Sequence, residues 1–170
     1  PFEAQVESFM DNQWVAGPMI NGERFAESMI KENAAEIITA PYDRRIEVGK
    51  VAFATLDHVS AAIDAAQTAF SDWKTVPVEQ KAACLEKLAD LMEERIDDLA
   101  SLMTREMGKV TAQGKQEVQL CAQICRYTAE HGASMLEDEH RIFEGGRAII
   151  TYQPIGVILG IQPWNFPLYQ

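Results

Sequence analysis

The order of apolar and polar residues predicts short strands first, helices from about residue 55 and strands again from about residue 148. Asn21-Gly22 lies between Met19-Ile20 and Arg24-Phe25, and this pairing is typical of a two-residue β-hairpin. Further along, the pattern predicts two more short strands, at residues 37–39 and 46–48, and a turn between them at residues 41–43.

The period then changes to that of an amphipathic helix. From Val59 to Trp73, apolar residues recur three and four positions apart, which predicts one buried helix face. Thr55 or Asp57 can cap the start of this helix.

Two more helices are predicted after a break at Pro77. The second has an apolar stripe over residues 82–99, with a kink expected near residues 97–98 and a stop at Gly108. The third is expected over residues 111–132. Together the three helices predict a packed helical layer.

The last part of the chain predicts strands and a stiff turn. Residues 137–146 are polar and predict a loop, and residues 148–152 predict a strand. Residues 157–161 are an apolar, β-branched run, which predicts a buried strand. Pro163 and Pro167 then turn the chain sharply, because each fixes the backbone around it.

Composition narrows the function classes. The chain has 170 residues, 47% of them hydrophobic, and a formal net charge of −11, which disfavours binding to nucleic acid. No segment has the length of a membrane span or the layout of a secretory signal, so we expect a cytoplasmic protein. A strand and turn with no following crossover helix also suggest a piece of a longer protein.

Most candidate chemistry has a simpler structural interpretation. Cys121 and Cys125 are four positions apart and could supply two metal ligands, but no other ligand accompanies them, so packing is favoured. Cys84 lies near a helix start, where a thiolate could be stabilised, but core or groove packing is again favoured. Surface or capping positions are expected for the three histidines, His58, His131 and His140. We predict no metal site.

Asn165 has two interpretations. It stands between the two prolines of the turn, so its side chain could cap a helix beginning near Phe166. Alternatively, its amide N–H₂ could donate a hydrogen bond to an oxygen that becomes negative during a reaction, because an oxyanion donor must be held rigidly in place.

The run Tyr152-Gln153-Pro154-Ile155-Gly156-Val157, followed by Gln162-Pro163-Trp164-Asn165-Phe166-Pro167, closely resembles the aldehyde dehydrogenase superfamily. The helices upstream resemble that family in order and character, so the resemblance covers roughly residues 45–170. It implies an α/β fold: a helical layer, an incomplete doubly wound coenzyme-binding sheet and an oligomerisation strand. The implied divisions are residues 1–136, residues 137–155 for the oligomerisation arm, and residues 156–170 for the first coenzyme-domain strand and turn.

The resemblance also implies an activity, the oxidation of an aldehyde to an acid with NAD or NADP. Asn165 matches the family's oxyanion asparagine, and Phe166 matches a residue at the substrate tunnel. The positions that match the coenzyme-lining residues are Ile161, Gln162, Pro163 and Trp164. The family's nucleophilic cysteine, its glutamate base and its coenzyme-binding lysine would lie after Gln170, so the chain as printed is expected to be inactive.

The resemblance leaves the substrate and the assembly open. The sequence of residues 163–170 is most similar to the succinate-semialdehyde dehydrogenase branch, whereas residues 16–23 resemble the glutamate-semialdehyde dehydrogenase half of bifunctional proline-oxidising enzymes. A homo-oligomer, dimer or tetramer, is expected of the complete enzyme. The competing hypothesis is a non-catalytic module that binds a full-length relative through its exposed strand.

Overall fold

The computed structural model describes residues 14–16, 19–24 and 35–170. The described strands are β1 (Trp14–Ala16), β2 (Met19–Ile20), β3 (Glu23–Arg24), β4 (Ala35–Ala40), β5 (Asp43–Ala52), β6 (Glu139–Phe143) and β7 (Gly146–Ile150). The described helices are α1 (Leu56–Trp73), α2 (Val78–Glu94), α3 (Ile96–Met107) and α4 (Thr111–Met135).

The hairpin predicted at Asn21-Gly22 is confirmed. Met19 pairs with Arg24 and Ile20 with Glu23 in antiparallel register. The φ angles of Asn21 and Gly22 are 52° and 79°, as the two central residues of a type I′ turn require. Phe25, which was predicted in the second strand, lies outside the described residues, as do Gly17-Pro18 and residues 1–13.

The larger sheet has the order β1-β5-β4, with β1 parallel and β4 antiparallel to β5. Strands β4 and β5 and the turn between them confirm the prediction made for residues 37–48. Ala40 and Val48 are buried, and Leu102 of α3 packs against them. The sheet is thereby joined to the helices.

Helices α2, α3 and α4 form the main core, and α4 packs against both of the others. The buried apolar residues of this core are Ala89, Met92, Met103, Val118, Cys121 and Ala122. Gly108 ends α3 with a φ of 77°, as predicted. The break between α2 and α3 lies at Arg95 rather than near residues 97–98.

Helix α1 forms where it was predicted but does not bury its apolar face. The Thr55 hydroxyl accepts from the His58 N–H, while the His58 ring accepts from the Thr55 N–H, so both residues cap the helix start. None of its residues is buried, and Val59, Ile63 and Trp73 are each about half exposed. The packed layer therefore contains α2, α3 and α4 but not α1.

The carboxyl-terminal strands differ most from the prediction. The segment predicted as a loop over residues 137–146 contains β6, which pairs with β7 in an antiparallel hairpin. Strand β7 ends at Ile150, two residues before the predicted end. The buried strand predicted over residues 157–161 was wrong, because these residues pair with no described strand and are exposed. An apolar run becomes a buried strand only beside other strands that accept its backbone hydrogen bonds.

No helix among the described residues is long and apolar enough to cross a membrane. The same part of the chain contains no group of three or more metal-ligating side chains.

Candidate functional site

The candidate site is the Trp-Asn turn, which we define as residues 163–169. It follows the exposed segment 151–162 and folds back on itself, with the Gln170 N–H donating to the Phe166 carbonyl at 3.1 Å. Leu168 is half-buried and packs against the core formed by α2, α3 and α4. One apolar side chain thus attaches an otherwise exposed turn to the helices.

Glu117 of α4 binds the backbone of the turn directly. Its Oε1 accepts from the Leu168 N–H at 3.0 Å and from the Tyr169 N–H at 3.1 Å. Free N–H groups at the start of a helical turn need an acceptor, and a negatively charged one is favoured there. Glu117 therefore supplies the cap that was considered for the Asn165 side chain, so that interpretation was wrong.

Lys109 holds the other side of the same turn. Its Nζ donates to the Asn165 carbonyl at 3.0 Å and lies 3.9 Å from the centre of the Phe166 ring. The ammonium also forms an ion pair with Glu117 Oε2. The side chains of Lys109 and Glu117 are 9% and 1% exposed, so the ion pair is shielded from water and from salt.

Local sequence explains how the two charges meet. Gly108 takes a left-handed conformation that ends α3, and Lys109 follows it in the connection to α4. Glu117 lies two turns into α4, on the buried face that also carries Gly114, Val118 and Cys121. The end of α3 and the first two turns of α4 therefore bring a lysine and a glutamate together as an ion pair next to the turn.

The side chain of Asn165 takes no part in the hydrogen bonds that anchor the turn. It is exposed and makes no hydrogen bond with another residue in the described part of the chain, although its carbonyl is held by Lys109. Its amide is therefore available to a ligand. This is the arrangement that an oxyanion donor requires: a fixed backbone and an uncommitted N–H₂ group.

The four predicted coenzyme-lining residues are adjacent in sequence and all exposed: Ile161, Gln162, Pro163 and Trp164. The structure does not bring them to the end of a buried strand. Phe166 lies over Lys109 and contacts Tyr169 edge-to-face, with ring centroids 6.4 Å apart.

The distribution of charge around the turn is unusual for so acidic a chain. Residues 145–170 contain no Asp or Glu, although the whole chain has a net charge of −11. Among the described residues, the carboxylate recorded in contact with the turn is that of Glu117, and Lys109 neutralises it. An anionic ligand would meet little repulsion here.

None of the three cysteines has the surroundings of an activated thiol. Burial, and then the charge of Glu117, raises the pKa of the Cys121 thiol. Cys121 packs in the core and Cys125 packs against it, as predicted, whereas Cys84 is exposed rather than in the core and lines an open pocket with Leu88 and Leu91. A raised pKa and burial both oppose thiolate chemistry at Cys121.

The sequence pattern did not identify Lys109 and Glu117 as site residues. One signal was present, because Glu117 falls on the apolar stripe of α4, and a buried carboxylate requires a partner. The partner itself could not be identified, since the turn that Glu117 binds lies 51 residues further along the chain.

A model of the aldehyde dehydrogenase family matches residues 29–170, and the chain therefore belongs to that family. The described fold corresponds to an amino-terminal portion of the family's domain. Over 112 residues the chain is 46% identical to succinate-semialdehyde dehydrogenase [NADP(+)] of Deinococcus radiodurans, a match that covers 66% of this chain and 24% of that protein.

Two further relatives agree with this assignment. Over 118 residues the chain is 38% identical to succinate semialdehyde dehydrogenase [NAD(P)+] of Escherichia coli, covering 69% of this chain and 26% of that protein. The crystal structure of proline utilization A from Bdellovibrio bacteriovorus matches with a TM-score of 0.83 and 30% identity, covering 98% of this chain and 17% of that one. The chain thus spans about a quarter of the curated relatives it matches.

Proposed function

We propose that the chain is the amino-terminal part of an NAD(P)-dependent aldehyde dehydrogenase in which Asn165 is the oxyanion donor. The observation that carries this proposal is the state of Asn165: its backbone is anchored by Lys109, while its side-chain amide is exposed and uncommitted. The membership of the family agrees with such a role.

The chemistry of Asn165 follows from its geometry. When a nucleophile adds to an aldehyde carbon, the carbonyl oxygen becomes an alkoxide, and an N–H donor fixed in advance stabilises that charge without reorganising. Pro163 and Pro167 restrict the backbone on both sides of Asn165, and Lys109 holds its carbonyl. The donor can therefore be in place before charge develops.

Residues 161–164 are proposed to line the bound coenzyme, with Phe166 at the substrate tunnel. Exposed backbone, an indole ring and the absence of acidic residues over 145–170 fit a dinucleotide with a negatively charged pyrophosphate. When bound, the coenzyme would accept hydride from the substrate carbon. Two named relatives, described as NADP(+) and NAD(P)+ enzymes, support NADP or NAD as this coenzyme.

The chain by itself is proposed to be inactive. Cys121 is buried with a raised pKa, Cys125 packs against the same core, and Cys84 is exposed on α2 away from that core, so none is proposed as the nucleophile. The cysteine and the general base would be supplied by the rest of the enzyme. Aldehyde oxidation by the purified 170-residue chain would contradict this proposal.

The proposed substrate is a carboxylate-bearing semialdehyde, with succinate semialdehyde preferred because two of the relatives carry that name. Glutamate semialdehyde is the alternative.

The complete enzyme is proposed to be a cytoplasmic homo-oligomer, since the β6–β7 hairpin exposes nearly all its residues and an exposed edge favours pairing with another copy. The same hairpin would serve a non-catalytic module.

The test uses the complete protein that contains residues 1–170. Reduced-coenzyme formation is followed with succinate semialdehyde or glutamate semialdehyde and with NADP or NAD, for the unaltered protein and for Asn165→Ala. We expect the acylation rate to fall about 100- to 1,000-fold in Asn165→Ala with coenzyme affinity almost unchanged. Unaltered turnover in that variant would remove Asn165 from the mechanism, and no oxidation by the unaltered protein would favour the module.

A further inference from the structure

We infer that the Lys109–Glu117 ion pair is a positioning device that fixes Asn165 for oxyanion donation. The inference rests on the proposed function, since it needs Asn165 to act as the donor. Neither Lys109 nor Glu117 touches the reacting atoms in this proposal, because both reach the backbone of the turn from the helix side.

The two residues bind the turn on both sides of Phe166. Lys109 Nζ donates to the Asn165 carbonyl, and Glu117 Oε1 accepts from the N–H groups of Leu168 and Tyr169. Three hydrogen bonds therefore fix this segment. Among the described residues, its own backbone contributes one further hydrogen bond, from the Gln170 N–H to the Phe166 carbonyl. The Asn165 carbonyl belongs to the residue whose side chain must be placed.

Stability alone is a weak reason to keep this arrangement. A buried ion pair seldom stabilises a fold more than apolar residues of the same volume, because both charges lose their hydration. The pair does provide directed hydrogen bonds: Glu117 Oε1 accepts from two N–H groups of the turn, and the Lys109 ammonium donates to one carbonyl. An apolar pair could fill the space but could not fix the rotation of the Asn165 peptide.

Small displacements of a donor are costly in catalysis, since misplacement by about 1 Å can lower a rate about 100-fold. If Lys109 is lost, the Asn165 carbonyl has no fixed donor and the peptide can rotate. The amide N–H₂ would then point to the oxyanion for only part of the time. The effect on rate must disappear when Asn165 has no amide to position.

The experiment is a double-mutant cycle in the complete protein, with the acylation rate, coenzyme affinity and thermal midpoint measured for each variant. Lys109→Met removes the donor and keeps the length of the side chain. Lys115→Met is the matched control, because Lys115 is a lysine of the adjacent helix α4 that forms an exposed ion pair, with Asp97, and makes no recorded contact with the turn among the described residues. Glu117→Gln keeps the side-chain shape and one carbonyl oxygen, and supplies a second variant if Lys109→Met does not fold.

We expect Lys109→Met to lower the acylation rate about 10- to 100-fold, with coenzyme affinity changed less than about twofold. In the Asn165→Ala background, the same substitution should lower the rate less than about twofold further. Lys109→Arg, which retains the charge and an N–H donor, should recover part of the rate. Lys115→Met should change neither quantity.

Hydrogen exchange provides a readout that does not depend on activity. In Lys109→Met and in Glu117→Gln, the amides of Leu168 and Tyr169 should exchange about tenfold faster than in the unaltered protein, because their acceptor is weakened or freed to move. Lys115→Met should leave their exchange unchanged.

Two results would overturn the inference. Equal losses from Lys109→Met with and without Asn165 would show a general structural effect, and the proposed function would survive. No loss from Asn165→Ala itself would overturn both the positioning role and the proposed function.

Discussion

At the scale of single residues, Glu117 combines burial with charge, and this makes the fold sensitive to its removal. Glu117→Ala would leave the Lys109 ammonium buried without its carboxylate and two turn N–H groups without their acceptor. We expect the free energy of unfolding to fall by about 3–5 kcal/mol, measured by denaturant titration of the complete protein. Lys115→Ala, which breaks an exposed pair, should cost less than about 1 kcal/mol, and a similar loss in both variants would contradict this account.

The three cysteines should differ in reactivity according to their surroundings. Cys84 is exposed and should react first with a thiol reagent near neutral pH, whereas Cys121 should react last. The pKa of Cys121 is raised, so its thiolate fraction at a given pH is lower than that of an ordinary thiol and grows only at higher pH. Peptide mapping after timed labelling measures each rate, and early labelling of Cys121 in the native protein would contradict the described packing.

Residue roles were predictable only where the partners are close in sequence. Thr55 and His58 cap α1 across three positions, and Thr55 is one of the two caps that were expected, the other being Asp57. A capping role for the Asn165 side chain was one of two interpretations considered, for the same local reason, but Glu117 provides the cap from α4. Periodicity showed that α4 has a buried face and could not show what the carboxylate on that face binds.

At the scale of elements, α3 and α4 approach closely at Gly114. A Cβ added there would lie 3.1 Å from both the Cα and the Cβ of Ala100, so the helices could not keep their separation. We expect Gly114→Val to destabilise the protein by about 1–3 kcal/mol, measured by thermal or denaturant unfolding.

Gly132, on the same helix, provides the matched control. A Cβ there would meet only the Thr128 methyl group, at 3.8 Å, which is an ordinary contact. Gly132→Ala should therefore stabilise the protein by about 0.5–1 kcal/mol through helix propensity alone. If Gly114→Val were as harmless as Gly132→Ala, the close approach of the two helices would be wrong.

Most elements were predictable because their signals are local. The hairpin at Asn21-Gly22, the end of α3 at Gly108 and the break at Pro77 each depend on a few neighbouring residues. The strand predicted over residues 157–161 depended on partners elsewhere. Its residues have strand composition, yet without neighbouring strands they form no regular element and are exposed.

At the scale of the whole molecule, the apolar surface is the outstanding property. The face of α1 and the segment 155–161 both expose large apolar side chains: Ile155 is 88% exposed, Leu159 is 83% and Ile161 is 85%. Monomeric soluble proteins rarely expose contiguous apolar surface of this kind, and it usually marks a contact with other protein. In the proposed enzyme, the remaining part of the subunit would cover it.

This exposed apolar surface predicts how the 170-residue chain behaves when it is purified alone. Several large apolar side chains are exposed over residues 155–161, so the purified chain should bind a hydrophobic dye and self-associate as its concentration rises. The net charge of −11 opposes this association but should not prevent it. Sedimentation velocity over a range of concentrations measures the association.

Replacing Ile158 and Ile161 by Lys should weaken the association, since both side chains are exposed and their replacement removes apolar surface without opening the core. Replacing Met92, a core residue, by Lys should instead unfold the helices and increase aggregation. A monomer that binds no dye at any concentration would show that this apolar surface is covered within the chain itself.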